Sequence, residues 1–213
     1  MVIKASASAE IRQLVAALGG DDEVRREAAI ARLSIIGERA VDRLVAAYDQ
    51  GKRETKVAVL RALEAAGDRR AVAVARRALG EGGDVAIAGA SALRGLLNAE
   101  HEPTAADALD TLVAVALDAR AERRVRLAAF EALRDVPGDV RTRVADALKA
   151  DPDAGLQARA VEAPREAATA EAIWQDALEG RLPDTPADLR DVLQARGGTA
   201  PLGVLQKLID AVR

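Results

Sequence analysis

The stretch Val125-Arg126-Leu127-Ala128-Ala129-Phe130-Glu131-Ala132-Leu133-Arg134-Asp135-Val136-Pro137 decides the architecture. Read as one amphipathic helix, it places Ala129, Leu133 and Val136 on a single face, with Ala132 widening that face. Pro137 lacks a backbone N–H and clashes with the turn before it, so it ends the run. With Val125 and Arg126 as offsets zero and one, the pattern asks for a small residue at offset four. It then asks for Ala-Leu at seven and eight, and for an aliphatic residue with a break at eleven and twelve.

The same pattern recurs on both sides. A second copy reads Thr55, Lys56, Val59, Ala62, Leu63, Ala66, Gly67, and a third Val85, Ala86, Gly89, Ala92, Leu93, Leu96, Leu97, without a terminating Gly or Pro at the expected place. The first reads Arg25, Arg26, Ala29, Leu33, Ile36, Gly37, with Arg32 where a small residue is expected. A degenerate fifth follows Asp151-Pro152 and runs from Ala154 through Ala158 and Val161. The copies start at 25, 55, 85, 125 and 154, and are therefore 30, 30, 40 and 29 residues apart. A recurrence of this length marks stacked helix pairs, because one such unit cannot bury its apolar face alone.

Each copy has a partner helix. Ile11, Leu14, Val15 and Leu18 open the chain's pattern and end at Gly19-Gly20. Ala40, Val41, Leu44 and Ala47 follow Gly37; Ala71, Val72 and Leu79 follow Gly67-Asp68; Val140, Val144 and Leu148 follow Pro137-Gly138. Thr104 reads as an N-cap, with Asp107 as its reciprocal acid, before Leu109, Leu112, Val113 and Ala116. Asp84, after Gly80-Glu81-Gly82-Gly83, reads as another N-cap. Alternating β-branched runs are missing, so no strand is expected.

These residues resemble the HEAT-repeat superfamily, in its short bacterial and lyase-type form, over residues 9–162. The resemblance implies an all-α right-handed α-solenoid (an α-α superhelix) of about five HEAT-like helix pairs. It also implies a ladder between repeats, with an acid in the turn and an Arg early in the second helix. Asp21 or Asp22 with Arg25 or Arg26, and Glu122 with Arg126, match that ladder, whereas Lys52 with Lys56, and Ala86, break it in the middle. The family includes iron-dependent hydroxylases with several His-Glu pairs, DNA glycosylases with an aromatic set beside an acid, and phycobilin lyases. This chain has one His-Glu pair, His101-Glu102, isolated aromatics and no residue-specific lyase motif.

Beyond residue 162 the register is lost. Pro164, Gly180, Pro183, Pro186 and Gly197-Gly198 divide residues 163–213 into three expected helices. Their stripes are Ile173, Trp174 and Leu178; Leu189, Val192 and Leu193; and Leu202, Leu205, Leu208, Ile209 and Val212. Two domains are therefore expected: a repeat array over 1–162 and a helical C-terminal cap or appendage over 163–213.

Composition narrows the function. Of 213 residues 50% are hydrophobic but only 1% aromatic (Tyr48, Phe130 and Trp174). The apolar material is Ala, Leu, Val and Ile, which suits closely approaching helices better than an aromatic-walled enzyme pocket. The absence of Cys excludes disulfides, thiolate catalysis and Cys-ligated metals. His101 is the single His, and adjacent side chains such as Glu100, His101 and Glu102 seldom converge on one ion, so no metal is expected. No Walker or dinucleotide Gly-rich loop occurs, nor a Gly-x-Ser-x-Gly elbow, so neither a cofactor nor catalysis is expected. Residues 1–8 carry one Lys and no apolar run, and the longest uncharged apolar stretch, Leu112–Leu117, is far short of a membrane span. A cytoplasmic protein is expected, with no membrane partner.

Charge is banded. Residues 51–80 hold eight bases against three acids, 81–118 one base against seven acids, and 119–143 seven bases against four acids. Such banding suits three roles: steering a charged partner, attracting neighbouring repeats, or a solvated face. The net charge of -3 speaks against a wholesale nucleic-acid binder. The expected function is a non-catalytic protein-binding or scaffold module, with nucleic-acid binding through 51–80 and 119–143 as the alternative. A HEAT-like enzyme-associated role, lyase or glycosylase, comes third. Arg53, Lys56, Arg94, Arg123 and Arg126 are the expected contact residues.

Overall fold

A computed structural model of the chain describes residues 7–162 other than 100, 135 and 137. The three expected helices of 163–213, with Trp174, lie outside the described residues, as do Glu100 and Pro137. Among the described residues there is no strand. The helices are α1 (Ala7–Leu18), α2 (Glu23–Ile36), α3 (Val41–Gln50), α4 (Arg53–Ala66), α5 (Ala71–Leu79), α6 (Gly83–Arg94), α7 (Glu102–Leu117), α8 (Arg123–Ala132) and α9 (Gly138–Leu148). A 3-10 turn, Gly37–Ala40, links α2 to α3.

Local chemistry sets the ends. Asp22 caps α2, its Oδ1 accepting from the Arg25 backbone N–H at 3.1 Å. Gly37 (φ 64°) and Gly67 (φ 60°) close α2 and α4 in conformations that L side chains resist. The start of α7 lies three residues ahead of the expectation. His101 takes the N-cap position, Pro103 sits in the first turn, and Thr104 is buried inside the helix. The N-cap of α6 is Gly82, so Asp84 lies in its first turn instead of before it.

The chain divides into two compact units, Met1–Val144 and Ala145–Arg213. Within the first, the helices pack in sequential pairs: α1 on α2, α3 on α4, α5 on α6 and α7 on α8. The second members also pack in series, α2 on α4, α4 on α6 and α6 on α8, and so do the first members from α1 to α7. The core between them follows the repeat offsets. Leu33, Leu63, Leu93 and Leu133, all at offset eight, are 0% exposed, and Ala29, Val59 and Ala129 at offset four are buried with them. Burying one such Leu contributes about 1.5–3 kcal/mol. Arg32 breaks the pattern as read: it stays exposed and its Nε donates to Glu10 Oε1 at 2.8 Å.

Small residues let the layers close up. A Cβ on Gly89 would lie 2.9 Å from the Ala78 Cβ and 3.0 Å from the Ala75 carbonyl oxygen, which sets α6 directly on α5. Gly95 supplies the third copy's stop, two residues earlier than a stop was sought. A Cβ there would run into the Glu64 carbonyl of α4.

In the second unit, the described residues hold the end of α9 and a helical run over 154–162. Asp153 caps that run, its Oδ1 accepting from Gly155 N at 2.8 Å and Leu156 N at 3.2 Å. Leu156 and Ala160 are buried, whereas Ala158 and Val161 are exposed. The expected fifth register is therefore corrected: the inward face lies two residues ahead of Ala158.

Candidate functional site

The outward side of α4, α6 and α8 is the surface on which contact residues were expected. Offset two carries Val57, Ile87 and Leu127, three half-buried aliphatic side chains in register on helices that pack side by side. On α2 the same offset carries Glu27. The row is bordered by charge. Arg61 of α4 reaches Glu27 of α2, with Nη2 donating to Oε2 at 2.8 Å. Arg94 of α6 reaches Glu64 of α4, and Arg124 of α8 reaches Asp84 of α6 at 2.9 Å.

The five expected cations do not form one cluster. Arg53 and Arg123 begin α4 and α8, while Arg94 ends α6, at the opposite end of its helix. Arg53 is exposed, and its guanidinium lies against Gly83 at the start of α6. Lys56 is half-buried and bound to Glu81 at 2.7 Å. Arg123 is exposed. Arg126 is 4% exposed, with its Nε donating to the Ala116 carbonyl at 3.1 Å. A guanidinium that inaccessible joins α8 to α7 and is removed from the contact surface; its stem follows the buried side of α8 beside Val125 and Ala129.

The expected ladder is corrected in the same way. Asp22 and Arg25 pair at 3.2 Å inside the first turn of α2, not between repeats. Glu122 caps the neighbouring helix instead of meeting Arg126: its two carboxylate oxygens accept from Gly83 N, each at 3.3 Å. A carboxylate there also faces the positive end of the α6 dipole. The pairs that join α2, α4, α6 and α8 in series are Glu27–Arg61, Glu64–Arg94 and Asp84–Arg124, separated by 34, 30 and 40 residues. Opposite charges spaced near the repeat length were the signal that could have found them.

Much of the charge in the bands is met by ion pairs between neighbouring helices. Lys56–Glu81 and Arg76–Asp107 (3.5 Å) join the basic band at 51–80 to the acidic band at 81–118, and Arg124–Asp84 joins the second basic band to it. Arg77 pairs with Asp49, and Arg70 with both Asp42 and Asp68. Exposed pairs of this kind contribute about 0–1 kcal/mol each and favour the native neighbour more than they add stability.

One cluster is tighter. Tyr48 is 2% exposed and its hydroxyl donates to Glu81 Oε1 at 2.7 Å. Lys56 Nζ lies 5.0 Å and the Arg77 guanidinium 5.4 Å from the centre of the Tyr48 ring. Lys56, then Tyr48, hold the Glu81 carboxyl below its ordinary range. Burial, then the hydrogen bond to Glu81, push the Tyr48 phenol up, so it remains a donor. The cluster ties α3, α4 and the α5–α6 turn together.

His101 Nδ1 lies 2.9 Å from Thr104 Oγ1 in the first turn of α7. No group of three or more His, Cys, Asp or Glu able to hold a metal occurs among the described residues. Phe130 is buried with the Arg141 guanidinium 5.6 Å from its centre, so neither Tyr48 nor Phe130 offers an exposed platform for a base. A shallow depression between α3 and α5 is lined by Asp42, Val45, Arg70, Ala73, Val74 and Arg77, and the charges in it are those already paired. No helix among the described residues is long and apolar enough to cross a membrane. Comparison with protein-family models, curated proteins and solved structures finds no match to this chain.

Proposed function

We propose that the chain is a HEAT-like α-solenoid that works without catalysis, as a cytoplasmic module binding a protein partner through the outward face of α4, α6 and α8. The observation that carries this reading is the in-register aliphatic row Val57, Ile87 and Leu127 across three adjacent helices. A partner would cover that row, with Arg53, Arg94 and Arg123 at its rim supplying complementary charge. The serial packing of α2, α4, α6 and α8, and of the helices paired with them, is what a right-handed superhelix of helix pairs would use. The nucleic-acid alternative is weakened by the pairing of five of the eight bases in 51–80 with acids: Lys56, Arg61, Arg70, Arg76 and Arg77. The glycosylase-type alternative is weakened by the burial of Tyr48 and Phe130.

The test is affinity capture from lysate of the source organism, with and without nuclease treatment, with wild type beside Ile87→Asp/Leu127→Asp and Arg53→Glu/Arg94→Glu, each checked for an unchanged melting transition. A protein retained by wild type and lost with both variants supports the reading. Recovery of nuclease-sensitive material alone transfers it to nucleic acid. A partner indifferent to both variants removes this face from the proposal.

A further inference from the structure

The most exposed large hydrophobic side chains among the described residues are Val24 (79%) and Ile35 (76%), and both lie on α2. Ala28 and Ala31 between them are exposed as well. At 3.6 residues per turn these four fall within an arc of about 60°, one unbroken stripe along the helix. The corresponding positions of α4 are Glu54, Ala58, Arg61 and Ala65, where Ala58 is 2% exposed and two of the four are charged. On the inner helices the same positions are partly packed: Ala58 is 2% and Ala88 7% exposed, and Gly95, in the place of Ile35, stands against the Glu64 carbonyl of α4, so the stripe is a packing face that is left open on α2.

Its spacing of four, three and four is that of d, a, d and a positions in a heptad. Glu27 then takes a g position and Arg32 an e position, on opposite flanks of the stripe. In a parallel pair of identical helices each g residue meets the e residue five places on in the other helix. Glu27 of one copy would therefore meet Arg32 of the second, and symmetry makes the contact twice. Both side chains remain within reach, Glu27 at 46% and Arg32 at 52% exposure, although each already has a partner in its own chain, Arg61 and Glu10. An antiparallel pair would instead set the e flank, Arg25 and Arg32, against itself. Ala28 and Ala31 at the centre allow close approach, while Val24 and Ile35 close the ends.

We propose that α2 is a self-association face, on which a second copy of this chain packs its own α2 in parallel about a two-fold axis. The inference does not rest on the partner-binding reading above, which uses α4, α6 and α8. One helix-on-helix contact is small beside the roughly 1,200–2,000 Å² of a stable interface, so the dimer is weak and exchanges rapidly.

Two measurements test it on the full chain. Sedimentation velocity from about 5 to about 500 µM should show the average mass rising from monomer towards dimer, as befits a small interface. Val24→Glu/Ile35→Glu should abolish the rise and Arg32→Glu weaken it, while Glu27→Arg/Arg32→Glu restores it. The chain has no Cys, so an introduced thiol reports cleanly. Under mild oxidation Ala28→Cys should form a disulfide dimer at least tenfold faster than Ala65→Cys, an exposed control on α4. A monomer at every concentration overturns the proposal and leaves the stripe to a different protein. Equal cross-linking of the two Cys variants overturns it too. Cross-linking of Ala28→Cys with Ala31→Cys in preference to itself overturns the parallel arrangement.

Discussion

At the scale of single residues, position on the helix decides what a side chain does, and chemistry alone does not. Leu133 at offset eight is fully buried, so Leu133→Ala should lower stability by about 2–5 kcal/mol, read from a urea transition. A loss within about 0.5 kcal/mol would mean that α8 is set in the wrong register. Arg126 shows the converse. It was legible as a cation and not as a buried one, because burial depends on α7 supplying the Ala116 carbonyl. The carboxylates carry a pH prediction. Glu27, Asp68 and Glu81 are held below their ordinary range chiefly by Arg61, Arg70 and Lys56 respectively. Each binds its proton less readily folded than unfolded, so its contribution is full above the unfolded carboxylate values near pH 4 and is lost as pH falls through the lower folded ones. Stability should therefore decline below about pH 4.5, and Glu81→Gln should shallow that decline, as followed by urea midpoints at several pH values. An unchanged slope would show that the Glu81 contacts do not form in solution.

Helix by helix, most of the pattern was legible because apolar spacing of three and four residues survives packing. The stops were less so. Gly37 and Gly67 end their helices with positive φ, but Gly95 has φ -58° and is Gly for a different reason, the carbonyl of Glu64 lying where its Cβ would stand. The two kinds of Gly predict different losses. Gly67→Ala meets only backbone strain, about 1 kcal/mol. Gly95→Ala must push α6 away from α4 and should cost more, about 1–3 kcal/mol. Thermal melts of the two variants compare them directly; a larger loss at Gly67 would deny the close approach. The start of α7 was misplaced since Thr104 looks like a cap on paper. The helix instead begins at Glu102, with Thr104 buried in its first turn and its hydroxyl 2.9 Å from His101 Nδ1.

Across the first unit, the helices pack chiefly on neighbours one or two places along the chain, with α1 also meeting α4, so stability is shared locally. The α4 and α6 helices are flanked on both sides by other second helices, whereas α2 has α4 on one side alone. Hydrogen exchange followed by mass spectrometry should thus find the amides of α4 and α6 protected longest and those of α1 and α2 shortest. Uniform protection would indicate one all-or-none unit. The charge bands also belong to this scale. They read as a possible address for a partner, but they are largely met within the molecule by Lys56–Glu81, Arg76–Asp107 and Arg124–Asp84.

From sequence alone came the helical class, the amphipathic spacing within the helices and the offset-eight Leu core. All of these follow from local periodicity and residue type. Only the tertiary structure decided which cations are buried, which acids cap or pair with which helix, and that Val57, Ile87 and Leu127 share a face while Val24 and Ile35 stand apart on α2. Those outcomes depend on contacts between helices, from 10 residues apart for Arg126 and Ala116 to 30 and 40 for Glu64–Arg94 and Asp84–Arg124, where small changes in register exchange one partner for another. Periodicity says which side of a helix turns inward, and it takes the neighbouring helix to say what that side meets.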